Sequence, residues 1–384
     1  MPVSLPAPGA EAMQHSARLV EYIRDEIQTK GGWISFARYM ELALYAPRLG
    51  YYAAGAHKFG EAGDFFTAPE FSPLFGRTVA RQVAETMVSS MPHIMELGAG
   101  SGKLAADILS ELEQLDRLPD SYLILEVSAD LRERQQRLLK ERLPHLFERV
   151  FWLDALPGKF CGTIIANEVL DALPVHVLHW RDSSVAERGV AWEGRSFIWE
   201  ERPVADTVLL DAASKVSVPD GYVSEICLAA RGLISSLAQC LEQGAILFID
   251  YGFGARELYH PQRSSGTLMC HYRHYAHDDP FFFPGLQDLT AHVNFTDIAE
   301  CGIDAGLELG GYTTQAFFLI NSGITDFMKN FSPEDLREYM LLSAQVQKLT
   351  SPAEMGELFK VIVLGKRMAN PLSGFARGDL TRLL

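Results

Sequence analysis

Apolar positions along the chain follow two periods, and the order in which those periods alternate predicts an architecture. Over residues 15–30, Leu19, Tyr22, Ile23 and Ile27 fall at helical spacing, and the pattern stops at Gly31-Gly32. Further helices are expected over 35–44 and 72–90. Between these two lies YAPRLGYYAAGAHKFGEAGDFFTAPEFSPLFG, so dense in Gly, Pro and aromatics that it predicts an ordered loop rather than a regular element. From Pro92 onward, short apolar runs alternate with amphipathic stretches, the pattern of a parallel sheet wound with helices. The expected strands are HIMEL, YLILEV, VFWLD, GTIIAN and AILFIDY, then GYTTQAFFLI and FKVIVLGK as an antiparallel pair. Helices are expected at 103–115, 129–142 and 225–241. Two insertions break the alternation, a strand-rich one (VHVLHW, GVAWEG, SFIWEER) and a second rich in His, Tyr and Phe.

Composition keeps this picture inside the globular class, with 48% hydrophobic and 22% charged residues among 384. That length implies a core with additions. A formal net charge of -15 repels polyanions, so nucleic acid is not an expected partner. The richest basic stretch, Arg132 to Arg142, is interleaved with acids and leucines as in a solvated amphipathic helix. The cysteines Cys161, Cys227, Cys240, Cys270 and Cys301 form no CxxC pair, which predicts neither a disulfide framework nor a zinc ribbon. No apolar run approaches the roughly 18 residues of a membrane span, and the N-terminus resembles no signal or transit peptide. A cytoplasmic, bacterial location without membrane insertion is expected.

The chemistry concentrates at strand ends. In HIMELGAGSG, Glu96 closes an apolar strand and Gly98, Gly100 and Gly102 precede a helix. Glycines let the backbone turn sharply and let a ligand approach, while the helix N-terminus suits the carboxylate of a methionine moiety. The third glycine of a dinucleotide fingerprint would fall on Lys103, which disfavours NAD. Glu126 follows Gly102 by 24 residues, where a wound sheet presents an acid to a ribose diol. Next come Asp154-Ala155 at the third strand end, suited to an adenine edge and face, and Asn167-Glu168 with Asp171 at the fourth. Four polar strand ends in succession point to a nucleoside sulfonium, S-adenosylmethionine, rather than to four unrelated solvated acids.

GDFFTAPEFSPLFG, ELGAGSGKLAADIL, LEVSADLRERQ, ANEVLDALPVH, FIDYG and DLTAHVNFTDIA resemble the MidA-like methyltransferases, in order, from about Gly32 to Lys366. That family includes a mitochondrial assembly factor that methylates an arginine on a complex I subunit. The resemblance implies an α/β, Rossmann-like class I methyltransferase fold, a mostly parallel seven-stranded sheet with a helical N-terminal extension and strand-rich insertions. It implies a helical region at 1–90, with the aromatic loop over the site, and a core at 91–384. The insertions at about 176–223 and 254–295 would form a smaller substrate-side lobe. The glycine turn carries Ala99 where other members have proline.

The expected cofactor set is Glu96, Gly98, Gly100, Gly102, Glu126, Val127, Asp154, Ala155 and Asn167, holding S-adenosyl-L-methionine. Methyl transfer needs positioning rather than a metal. If the acceptor is arginine, carboxylates that orient the guanidinium and accept its proton suit the task, and Glu168 and Asp171, with Asn167, are the candidates. Asp64, Phe65, Glu70, Asp250 and Tyr251 are expected to line or close the substrate side. Cys270-His271 through His277 is expected as a solvated or substrate-facing loop without metal. A protein substrate is expected, on a respiratory complex by resemblance, and the oligomeric state stays open, a homodimer being one expectation. The competing reading is an assembly scaffold that keeps a non-catalytic cofactor pocket.

Overall fold

The computed structural model describes residues 5–53, 67–182, 184–329, 336–368 and 371–384. These fall into two compact units: the described residues of Met1–Phe65, Asp171–Arg231 and Arg256–His292, and those of Phe66–Leu170, Gly232–Ala255 and Val293–Leu384. The region expected as one N-terminal part is therefore divided. Helix Pro73–Val88 falls with the sheet because Leu74, Phe75, Val79, Ala80 and Val83 are buried in the sheet unit's core.

The larger unit is built on one sheet with strand order Glu308–Thr314, Phe359–Lys366, Leu241–Phe253, Phe160–Asn167, His93–Leu97, Ser121–Leu125, Val150–Leu153. The run from Leu241–Phe253 to Val150–Leu153 is parallel. Phe359–Lys366 runs antiparallel to both its neighbours. Strands covered on both faces lose the in-out alternation of half-buried ones, which is why Ile94, Met95, Ile164, Ile165 and Ala245 to Ile249 are all buried. From His93–Leu97 the chain winds outward through Ser121–Leu125 and Val150–Leu153, then returns on the other side as Phe160–Asn167. That reversal makes a crevice at the carboxyl ends of His93–Leu97 and Phe160–Asn167, where open parallel sheets bind ligands.

Three expected stretches differ. The run GYTTQAFFLI stops being a strand at Thr314, whose hydroxyl caps a helix over Gln315–Asn321 by accepting from Phe317 N. The helix expected from 225 begins at Leu228, because Glu225 completes the strand Tyr222–Ile226. The stretch read as a loop without regular structure contains one helical turn, Ala68–Phe71.

The second unit pairs Trp33–Ser35, Ser184–Glu193, His176–Arg181 and Tyr222–Ile226 antiparallel, with Ser196–Pro203 added on Ser184–Glu193. Met269–Tyr272 lies between Tyr275–His277 and Asp288–Thr290 in a further small sheet. Helix Phe36–Tyr45 is capped by Ser35 and buries Phe36 and Tyr39 among Phe197, Trp199 and Phe281. The strand-rich insertion also holds a helix, Thr207–Ser214, capped by Asp206. Among the described residues, no helix is long and apolar enough to cross a membrane.

Candidate active site

The turn after His93–Leu97 takes its shape from glycine. Gly98, Gly100 and Gly102 have φ of 62°, 53° and 86°, a region closed to most side chains. Gly98 N donates to Leu125 O (3.0 Å) and Gly102 N to Ala99 O (2.8 Å), so the turn is bonded to the neighbouring strand and to itself. A Cβ on Gly102 would stand 3.2 Å from Gln135 Cα. Gly102 has no side chain to cap the helix Lys103–Gln114.

Gln135 organises this end of the sheet, and the sequence reading passed over it. Fully buried, it donates from Nε2 to Gly100 O (3.0 Å) and Glu126 Oε2 (2.9 Å), while its Oε1 accepts from Trp152 Nε1 (2.9 Å). One amide thereby ties three successive strand ends together. The signal was present in the sequence: Gln135 shares the buried stripe of its helix with Leu131 and Leu139, four residues to either side. Glu126 is buried, and its Oε1 accepts from Ser128 N (2.9 Å). Burial pushes its carboxyl above the usual range, and the donations from Ser128 and Gln135 pull it back. The bonds from Ser128, Gln135 and the Val127 backbone leave the carboxylate acceptor capacity for a diol.

Glu96 is buried and accepts from Tyr122 Oη (2.7 Å). Burial pushes it up to about 7, with Glu126 adding to the rise and the Tyr122 bond opposing it. Asp154 takes a different place: its side chain is 90% exposed and accepts from Arg132 Nη2 (2.8 Å), which also donates to Leu153 O (2.9 Å) and Glu126 O (3.2 Å). Val127, next to Glu126, and Ala155, next to Asp154, are exposed.

Glu70, expected on the substrate side, reaches the glycine turn instead. Its Oε1 accepts from Ser101 Oγ, and its Oε2 accepts from Lys103 Nζ (2.6 Å). Asp64 and Phe65 lie outside the described residues.

At the far side of the crevice, Glu168 is held at φ 52°, an outlier for a residue with a side chain, and its N–H donates to Ile249 O (2.9 Å). Asn167 Nδ2 donates to Glu168 Oε1 (3.2 Å), while Asn167 Oδ1 is buried with no hydrogen-bond partner among the described residues. Asp250 explains the turn. Almost fully buried, it accepts from Val169 N (3.1 Å) and Leu170 N (2.9 Å) on Oδ2 and from Tyr251 N (2.9 Å) on Oδ1. It supports the turn that presents Glu168, and Tyr251 packs edge-on against Phe359.

Asp171 belongs to the other unit, where it is buried and its carbonyl accepts from Ala291 N (3.0 Å). Nearby Tyr52 donates to Asp288 Oδ2 (2.7 Å) and stacks on Tyr45. Burial, with the charges of Asp288 and Asp171, pushes the Tyr52 phenol well above its ordinary range. In the 270–277 segment, burial lowers His271 to about 4 and raises the Cys270 thiol. Among the described residues, no three His, Cys, Asp or Glu are grouped to hold a metal ion.

A family model of S-adenosyl-L-methionine-dependent methyltransferases matches residues 74–313. The chain is 30% identical over 367 residues to protein arginine methyltransferase NDUFAF7, mitochondrial, of Danio rerio, spanning 86% of this chain and 82% of that protein. Over 419 residues it is 27% identical to the NDUFAF7 homolog of Drosophila melanogaster, spanning 94% and 88%. A crystal structure from Burkholderia thailandensis bound to S-adenosyl-homocysteine superposes with a TM-score of 0.96 at 48% identity, over 99% of this chain and 100% of that one.

Proposed function

The chain belongs to this family of S-adenosyl-L-methionine-dependent methyltransferases, and from that premise we propose that it methylates an arginine side chain of a protein partner. Its cofactor, S-adenosyl-L-methionine, supplies a methyl group activated as a sulfonium. The residues fit that group, since a glycine cradle without side chains stands beside a buried acid with acceptor capacity to spare. In this reading Glu126 receives the ribose hydroxyls, and the turn at Gly98, Gly100 and Gly102 lies against the methionyl end.

The observation that carries the acceptor assignment is Glu168, a carboxylate kept in a strained backbone region by Asp250, beside an Asn167 oxygen with no partner among the described residues. Strain of this kind costs about 1–3 kcal/mol and persists where a fixed side-chain direction matters. An arginine guanidinium stays protonated far above neutral pH, and deprotonating it at pH 7 would cost on the order of 9 kcal/mol. Glu168 therefore acts by orienting the guanidinium and accepting its proton as the N–C bond forms. The relatives' names as protein arginine methyltransferases support this reading. So does the net charge of -15, which favours a basic partner segment. The family resemblance directs the search to respiratory complex subunits.

The test is to incubate the full-length protein and methyl-labelled S-adenosyl-L-methionine with extract of a strain lacking the gene. Label released as methylated arginine after hydrolysis of a protein band is expected. Label in any other methylated amino acid, or only in small molecules, contradicts the arginine reading and leaves the methyltransferase assignment standing.

A further inference from the structure

The Glu70–Lys103 pair is a charged clasp built onto the glycine turn, and the cofactor site as derived from strand ends gives it no task. Glu70 comes from the TAPEF segment, whose single helical turn Ala68–Phe71 sets it beside Ser101 and Lys103. Its side chain is only 6% exposed and that of Lys103 29%, so the two are largely withdrawn from water. Lys103 Nζ also approaches Glu70 O at 3.4 Å.

Withdrawing a carboxylate and an ammonium from water costs several kcal/mol per ion, and one contact recovers that cost only with good geometry and further bonds. A surface pair of the same length would contribute little. The pair also sits where the fold puts a ligand: at the carboxyl end of His93–Leu97, in the first turn of a 12-residue helix whose N-cap Gly102 offers no side chain to its amides.

The donor and acceptor inventory matches one end of the cofactor. A carboxylate has about four lone-pair sites, and Ser101 and Lys103 occupy two of those on Glu70. A lysine has three donors, and Glu70 takes at most two of those on Lys103. The methionyl end carries an α-ammonium, which needs acceptors, and an α-carboxylate, which needs donors. It is a zwitterion, and a Glu–Lys pair is its charge complement without net charge.

We propose that Glu70 receives the α-ammonium of the cofactor's amino-acid end, while Lys103 and the first-turn amides of Lys103–Gln114 receive its α-carboxylate. Glu70 is then a specificity residue that separates S-adenosyl amino acids from simple adenine thioethers. The proposal rests on the family's cofactor, and it reassigns Glu70 from the substrate side to the cofactor side.

The test compares calorimetric titrations of S-adenosyl-homocysteine and 5′-methylthioadenosine, which lacks the amino-acid end, into the full-length protein, Glu70→Gln and Lys103→Met. Each substitution is expected to weaken S-adenosyl-homocysteine about tenfold or more and to leave 5′-methylthioadenosine within about twofold, the loss of a charge-assisted bond to one end of one ligand. Equal losses for both ligands, or none for either, overturn the proposal. A third arm varies the ligand: a des-amino analogue of S-adenosyl-homocysteine should bind the unaltered protein more weakly and should lose nothing further in Glu70→Gln. Undiminished binding of that analogue overturns the ammonium assignment even where a variant folds poorly. Failure of the unaltered protein to bind S-adenosyl-homocysteine at all would instead contradict the cofactor assignment itself.

Discussion

Two turns flank the crevice of the large sheet, and both leave the ordinary backbone region by different means. The turn after His93–Leu97 does so at glycines, and Gln135 from the helix Ala129–Arg142 anchors it. The turn after Phe160–Asn167 does so at Glu168, with φ 52°, and relies on a buried Asp250 to hold it. Where only backbone shape matters, the chain uses the residue that adopts it freely. Where shape and a carboxylate are needed at one position, it retains the strained residue. On the proposed function, the first turn is a fixed cradle for the cofactor and the second a mount for the carboxylate that acts.

The comparison breaks most readily at the cradle. Glu126→Ala removes the carboxylate assigned to two ribose hydroxyls, and hydrogen bonds to a charged group contribute about 1.5–3 kcal/mol each. Calorimetry should find S-adenosyl-homocysteine bound at least about a hundredfold more weakly. Gln135→Leu leaves Gly100 O, one Glu126 oxygen and Trp152 Nε1 without their partner. Unsatisfied buried groups cost about 1–3 kcal/mol each, and of these three the Glu126 oxygen is buried and the other two half-buried, so a stability loss of about 3 kcal/mol is expected in urea titrations. A loss below about 1 kcal/mol would mean that the amide does not organise the three strand ends.

Glu96 sharpens the cradle's electrostatics. Its folded pKa of about 7 lies above the ordinary 4.5 because burial disfavours the charge. Between those values the folded state holds the proton that the unfolded state has released, so stability falls as pH rises from 4.5 through 7. Glu96→Gln removes that dependence, and its advantage over the unaltered protein should grow across this window to at most about 3 kcal/mol. Equal pH dependence of the two melting curves would contradict the shift. The smallest effect belongs to the second turn: Glu168→Gly should relieve strain and raise stability by roughly 0.5–1 kcal/mol while abolishing transfer.

These contrasts also mark what the sequence made legible. The glycine turn and the parallel sheet are legible because each is set by local period or by spacing within one wound unit. The residues after Thr314 depart from the expected strand because the β-branched Thr313 and Thr314 favour a strand while the Thr314 hydroxyl caps a helix over Gln315–Asn321. Asp250 could be placed at a strand end but not given its work, since its partners Val169 and Leu170 lie some 80 residues away in the chain. The contacts of Glu70 are hidden for the same reason: only the folded chain shows that it meets Ser101 and Lys103, some 30 residues away. The grouping of the first helices with both insertions is likewise a long-range fact that no local pattern encodes.

The central claim, that one turn binds and the other acts, is tested most directly by Glu168→Gln. Calorimetry and a methyl-transfer assay are run on the same preparation. The account predicts S-adenosyl-homocysteine binding within about twofold of the unaltered protein and a transfer rate lower by about a hundredfold or more, the scale of a positioned acid–base group. Unchanged transfer, or binding lost together with transfer, would contradict the division of labour between the two turns.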